Sequence, residues 1–209
     1  MRRKSIRPRE PDGEVRHRLL DVATELFTKK GYAATTVREI VNAAGVTPPV
    51  LYYYFENKEG LFLSLMKEPW GLFEAEIGAA RCNGVTARER LRGLCDRTLS
   101  LFQEKMGVAR LMYTLYYGPP QGAPFFDFDA YHDKFWAAVR ELVEEGVGAG
   151  EFCEGNVDGM LWAVIGALNI ALELELTHPE RALGPKGLSR VLDVVFRGMA
   201  VAAQETRNS

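Results

Sequence analysis

The chain has 209 residues, with 26 Lys plus Arg against 28 Asp plus Glu and 47% hydrophobic residues. That hydrophobic content excludes a disordered chain, and the length is enough for one large domain, or a small one joined to a larger one, around a buried core. Net charge is −2, which by itself argues against a nucleic-acid partner.

The most apolar stretch, Met160 to Leu172, lies between Asp158 and Glu173 and is interrupted by Asn169. It is shorter than the roughly 20 residues a bilayer requires, so no membrane span is expected. The N-terminus MRRKSIRPRE is basic with no apolar segment behind it, which does not read as a secretory signal. Cys82, Cys95 and Cys153 are scattered with no CxxC spacing, so free thiols in a reducing cytoplasm are expected, with no cofactor and no metal.

In chain order, the first element is a basic arm, residues 1–12, carrying Arg2, Arg3, Lys4, Arg7 and Arg9. Val15, Leu19, Val22, Ala23, Leu26 and Phe27 then form one helical stripe that stops at Gly31. Thr36 and Glu39 have the spacing of a capping box and open a short helix with Ile40, Val41 and Ala44 inward, ended by Gly45. Thr47 caps the next, with Pro48 at its first position. Asn57 caps a fourth helix through Leu61, Phe62 and Leu65, and Pro69 is expected to kink or break it. Longer helices follow near 86–104, 107–117, 126–148, 156–177 and 186–204. Period-2 alternation and hairpin turns are missing, and the fold class is all-α.

Residues 36–55 read as helix, Gly-centred turn, helix, the form in which a helix-turn-helix presents its second helix to a major groove. Charge supports the division: residues 1–60 carry 11 basic and 8 acidic side chains, residues 61–209 carry 15 and 20. The outward face of the second helix offers Thr47, Pro48, Val50, Tyr52 and Tyr53, while Tyr54 and Phe55 are assigned to packing. Val50 could meet a thymine methyl. Thr36 and Thr47 either cap only or also contact phosphate. The helix N-termini at Thr36, Thr47 and Asn57 offer amides to anions, with the charge of Lys58 beside them.

The stretch TTVREIVNAAGVTPPVLYYYFENKEGLF, Thr35 to Phe62, resembles the TetR/AcrR family of one-component repressors. The patterns T-x-x-x-I, A-G-V, L-Y-x-x-F and K-E-x-L stand in it at matching offsets. With the F-x-x-x-G-Y that ends the preceding stripe, the resemblance covers about residues 13–73. The rest of the chain is similar in length and helicity alone. The resemblance implies a homodimeric DNA-binding transcriptional regulator: a three-helix helix-turn-helix domain at residues 13–73, then a helical-bundle ligand-binding and dimerisation domain at 74–209. Thr36, Thr47, Tyr52, Tyr53 and Lys58 match positions used largely for phosphates, and Arg38 one that reaches a base or a phosphate. Pro48 departs from the common pattern, which has a polar or basic residue there.

In the body, residues 110–136 contain nine aromatics, among them Tyr113, Tyr116, Phe126, Phe135 and Trp136. With Phe102, Met106, Met112 and Trp162 they either line a small-molecule pocket or pack as ordinary core. Leu161, Ile165, Leu168 and Leu172, and the stripe Leu192, Val195, Phe196 and Met199, are expected to meet a second copy in a four-helix interface. The partners anticipated are an operator in double-stranded DNA, a small lipophilic or aromatic effector and a second copy of the chain. A constitutive DNA-binding dimer without a ligand is the alternative. A helical enzyme is disfavoured, because His17, His132 and His178 are isolated from any nucleophile or ligand cluster.

Overall fold

The computed structural model describes residues 12–82 and 84–200. Arg2, Arg3, Lys4, Arg7 and Arg9 of the basic arm lie outside the described residues. The described residues form nine α-helices: α1 (Asp12–Lys30), α2 (Val37–Ala43), α3 (Pro48–Phe55), α4 (Lys58–Ala80), α5 (Ala87–Glu104), α6 (Met106–Tyr117), α7 (Asp129–Gly148), α8 (Val157–Thr177) and α9 (Gly184–Met199). The fold is all-α, and the described residues hold no strand beyond one isolated bridge between Phe152 and Ala200.

Local chemistry sets most boundaries. Capping boxes at Thr36/Glu39 and Thr86/Glu89 open α2 and α5, and the Asn156 side chain accepts from the Gly159 amide to open α8. Pro69 does not break α4, which runs through it to Ala80, with Leu65 and Met66 buried before it and Ile77 and Ala80 buried after it.

The chain packs as two compact units, and the division on α4 falls between Pro69 and Trp70. The first unit contains the described residues up to Pro69 together with Gly107–Phe126. Its core is Leu19, Ala23 and Phe27 of α1, Ile40 and Val41 of α2, Leu51 and Phe55 of α3, and Leu61, Phe62 and Met66 of α4. Segment 107–126 had been expected within the 74–209 domain. It joins the first unit through backbone contact: the Ala33 N–H donates to the Gln121 carbonyl at 3.2 Å, and Gly107 lies against the Thr24 methyl.

The second unit contains Trp70–Met106 and residues 127 onward. It is a bundle of α5, α7, α8 and α9, and here the expected dimer interface is corrected. Leu161, Ile165, Leu168, Leu192, Phe196 and Met199 are all 4% exposed or less within the single chain, and Leu172 and Val195 pack partly buried on the same core. Helix α8 packs on α5, α7 and α9, so its widest apolar face is used inside one copy. The apolar residues left exposed on α8 and α9 are Trp162, Ile170 and Val194. At 21 residues α8 exceeds the Met160–Leu172 stretch, and by length and composition alone it could cross a membrane. Its buried stripe is that of a core helix.

At the far end of α7 the backbone turns back through two bonds from the Glu151 and Phe152 amides to the Gly146 carbonyl. The Phe152 ring then stacks on Phe196 at 6.2 Å. A Cβ at Gly146 would lie 2.3 Å from that buried ring. Gly146→Ala should therefore destabilise the protein by about 1–3 kcal/mol, read as a lowered urea midpoint at unchanged slope.

Candidate nucleic-acid interface

Three aromatic rings anchor the first unit. Phe27 of α1, Tyr32 and Phe62 of α4 lie 5.2–6.0 Å apart between ring centroids. The Lys58 ammonium sits 4.1 Å from the centroid of the Tyr32 ring and donates to the backbone carbonyls of Tyr32 at 3.0 Å and Thr35 at 2.9 Å. The Thr35 hydroxyl, fully buried, donates to the Gly31 carbonyl at 2.8 Å. These bonds fix the turn from which α2 starts. Lys58 was expected at a phosphate; in the structure it is partly buried, with its ammonium donating to the two turn carbonyls and lying over the Tyr32 ring.

Helix α2 is held at both ends. At its start the Thr36 hydroxyl accepts from the Glu39 amide, while the Glu39 carboxylate accepts from the Thr36 amide and pairs with Lys30. The bonds from Lys30 and from Thr36 hold the Glu39 carboxyl at about 2, well below its ordinary 4.5. At its end Arg18 Nε donates to the Ala44 carbonyl at 2.9 Å. Gly45, with φ of 66°, makes the turn, and the Val46 amide closes it on the Val41 carbonyl.

Helix α3 presents Leu51 and Phe55 to the core. Thr47, Pro48, Pro49, Tyr52 and Tyr53 are exposed, Tyr53 most of all at 72%, and Val50 and Tyr54 are half-buried. The Tyr54 ring lies between those of Tyr53 and Phe55, 5.0 and 6.1 Å away. Arg38 of α2 is exposed with no partner among the described residues. Pro49 was missed in the sequence, although a helical wheel drawn from Leu51 and Phe55 places it opposite them.

The expected anion site at the start of α3 is corrected. Thr47 takes the N-cap conformation, yet its hydroxyl makes no capping bond, and Pro48 and Pro49 remove two amides. The Val50 amide bonds to the Thr47 carbonyl at 3.0 Å. The Thr47 hydroxyl is therefore the group left to reach an anion there. At the start of α4, the Asn57 side chain caps the Gly60 amide at 2.7 Å.

The expected ligand-lining residues divide between the units. Met112, Tyr113, Tyr116 and Phe126 belong to the first, where Tyr113 and Tyr116 are exposed. Phe102, Met106, Phe135, Trp136 and Trp162 belong to the second. There Phe135 stacks on Phe73 at 5.6 Å and Trp136 meets the exposed Trp162 edge-on at 4.6 Å. Sequence reasoning missed a polar run on α5 in the same unit. Asp96 Oδ1, one terminal nitrogen of Arg97 and the Thr98 hydroxyl are buried without hydrogen-bond partners, while Arg97 Nε pairs with Glu76. Burial pushes the Asp96 carboxyl up, against the pull of Arg92 and Arg97. Among the described residues no group of His, Cys, Asp and Glu is arranged to hold a metal.

Two short helices braced by α1, with the second one's polar-and-apolar face exposed, define a helix-turn-helix DNA-binding domain. The comparisons agree. Residues 19–65 match the family of bacterial regulatory proteins, tetR family. The chain is 27% identical to the HTH-type transcriptional regulator QacR of Staphylococcus aureus over 157 residues, 74% of this chain and 82% of QacR. It is 43% identical to AcrR of Shigella flexneri over 65 residues, 31% of this chain and 28% of AcrR. Its fold matches the crystal structure of FadR from Bacillus subtilis in complex with stearoyl-CoA, with a TM-score of 0.61 and 19% identity over 87% of this chain and 95% of FadR. Residues 19–65 thus form a domain of the tetR family of bacterial regulatory proteins, and the chain is similar to TetR-family transcriptional regulators. Its relatives are regulators and not enzymes.

Two tests follow from the scaffold. The contribution of Glu39 to stability is fully present above pH 4.5 and is lost as pH falls towards about 2. Glu39→Gln keeps the cap but removes the charge, so the gap in melting temperature between the variant and the parent should close as pH falls through that window. Lys58→Met keeps the apolar stem and loses both carbonyl bonds; it should lower the unfolding free energy by about 1–3 kcal/mol, measured in urea.

Proposed function

We propose that the protein is a ligand-responsive homodimeric repressor, released from a palindromic operator by a small lipophilic or aromatic molecule. The observation that carries this reading is the exposed α3 face, held by a buried Leu51–Phe55 stripe on a braced two-helix scaffold. DNA reading is assigned to residues 13–73, with the basic arm 1–12 ahead of them. Ligand binding and dimerisation are assigned to 74–209, of which 107–126 pack with the reading unit. Thr47, Tyr52 and Tyr53 are the phosphate donors, since the Thr36 amide and hydroxyl both donate to the Glu39 carboxylate, and Arg38 is the guanidinium that reaches a base or a phosphate.

For the effector, the support is three buried polar atoms without hydrogen-bond partners, Asp96 Oδ1, one terminal nitrogen of Arg97 and the Thr98 hydroxyl, in a unit otherwise rich in aromatics. A ligand with an apolar body and a polar head would satisfy those groups. FadR, the structural relative, is described in complex with stearoyl-CoA, which has that character. For the dimer, Trp162 and Ile170 of α8 and Val194 of α9 are the apolar residues that remain available to a second copy. Two copies would place their α3 helices at half-sites a helical turn or a multiple of it apart, and the ligand would shift the population between spacings.

Binding to the intergenic DNA beside the protein's own coding region should weaken by on the order of 10³-fold between 50 and 200 mM salt, as when about six phosphates are neutralised. Gel shifts across that range test it, and a flat response rejects DNA binding. Repeating the shift with long-chain acyl-CoA and with aromatic cations tests release, and a complex indifferent to every lipophilic compound favours the constitutive dimer.

A further inference from the structure

The recognition helix has none of the side chains that read purines by paired hydrogen bonds. From Thr47 to Phe55 the sequence is TPPVLYYYF, with no Arg, Lys, Asn, Gln, Asp or Glu. Its backbone is equally bare at the end nearest the turn: Pro48 and Pro49 have no amide hydrogen, and the Val50 amide is already bonded to the Thr47 carbonyl. Leu51 and Phe55, one turn apart, mark the inward side. The outward side is centred on Pro49 and Tyr53, also one turn apart and about 6 Å along the axis, with Pro48 and Tyr52 exposed beside them. The result is an apolar edge whose hydrogen-bonding groups are three hydroxyls.

Apolar atoms discriminate among bases in the major groove at one group, the C5-methyl of thymine. Hydroxyls serve phosphates or bases of either kind and select weakly. We infer that α3 selects its operator by seating thymine methyls against Pro49 and Tyr53, leaving recognition of guanine to Arg38 of α2. This rests on the DNA-binding reading above and adds to it the chemistry by which the sequence is read.

The test begins with duplexes selected from a random library by the full chain. Each thymine of the best half-site is then replaced by deoxyuridine, which removes the methyl and leaves every hydrogen-bonding group in place. At one or more positions per half-site the affinity should fall about three- to fivefold, the factor for burying one such group. Pro49→Ser or Tyr53→Ser should weaken binding of the thymine duplex and bring the ratio of thymine-duplex to deoxyuridine-duplex affinity at that position to about one. If every deoxyuridine duplex binds within about twofold of its parent, the inference is overturned. If the methyl effect persists in both variants, the methyl is read elsewhere and the assignment to α3 fails. Selection of no sequence at all would overturn the DNA-binding reading, and this inference with it.

Discussion

Everything the protein does with DNA depends on the burial of two side chains, Leu51 and Phe55. Helix α3 has eight residues, too few to persist alone in water. It exists because one side of it is removed from water, and the same burial decides which side remains outside. Arg16 reinforces this from α1, lying over the Phe55 ring at 5.2 Å and pairing with Glu68 of α4. Arg18 does so at the other helix, through the Ala44 carbonyl. The exposed face of α3 is thus positioned by residues that lie behind it.

The turn before α2 shows a related economy of charge. Lys58 was expected at a phosphate, yet it is bound to two carbonyls, and the neighbouring Lys30 is paired with Glu39. Their charge fixes the scaffold. On the exposed surface of α2 and α3 the structure leaves the guanidinium of Arg38 and the hydroxyls of Thr47, Tyr52 and Tyr53.

Segment 107–126 belongs by packing to the reading unit, although the chain enters and leaves it from the other. Three covalent connections therefore join the units, after Pro69, before Gly107 and after Phe126.

The helices, their caps and the helix-turn-helix were legible in the sequence, because stripes, capping boxes and glycine stops are local and each acts within a few residues. The identity of the reading face was legible in part: Leu51 and Phe55 define it, but Pro49 emerges only when that face is drawn on the folded helix. The destination of the apolar surplus on α8 and α9 was not legible. Periodicity says that Leu161, Leu168, Leu192 and Phe196 must leave water; it does not say whether a second copy or the chain's own α5 and α7 will cover them. Nor does it show that Lys58 bonds to the turn carbonyls or that Thr98 is buried and Asp96 and Arg97 half-buried beside it. Sequence determined which atoms seek burial and which helices they lie on; tertiary packing decided what they are buried against, because that depends on residues far away along the chain.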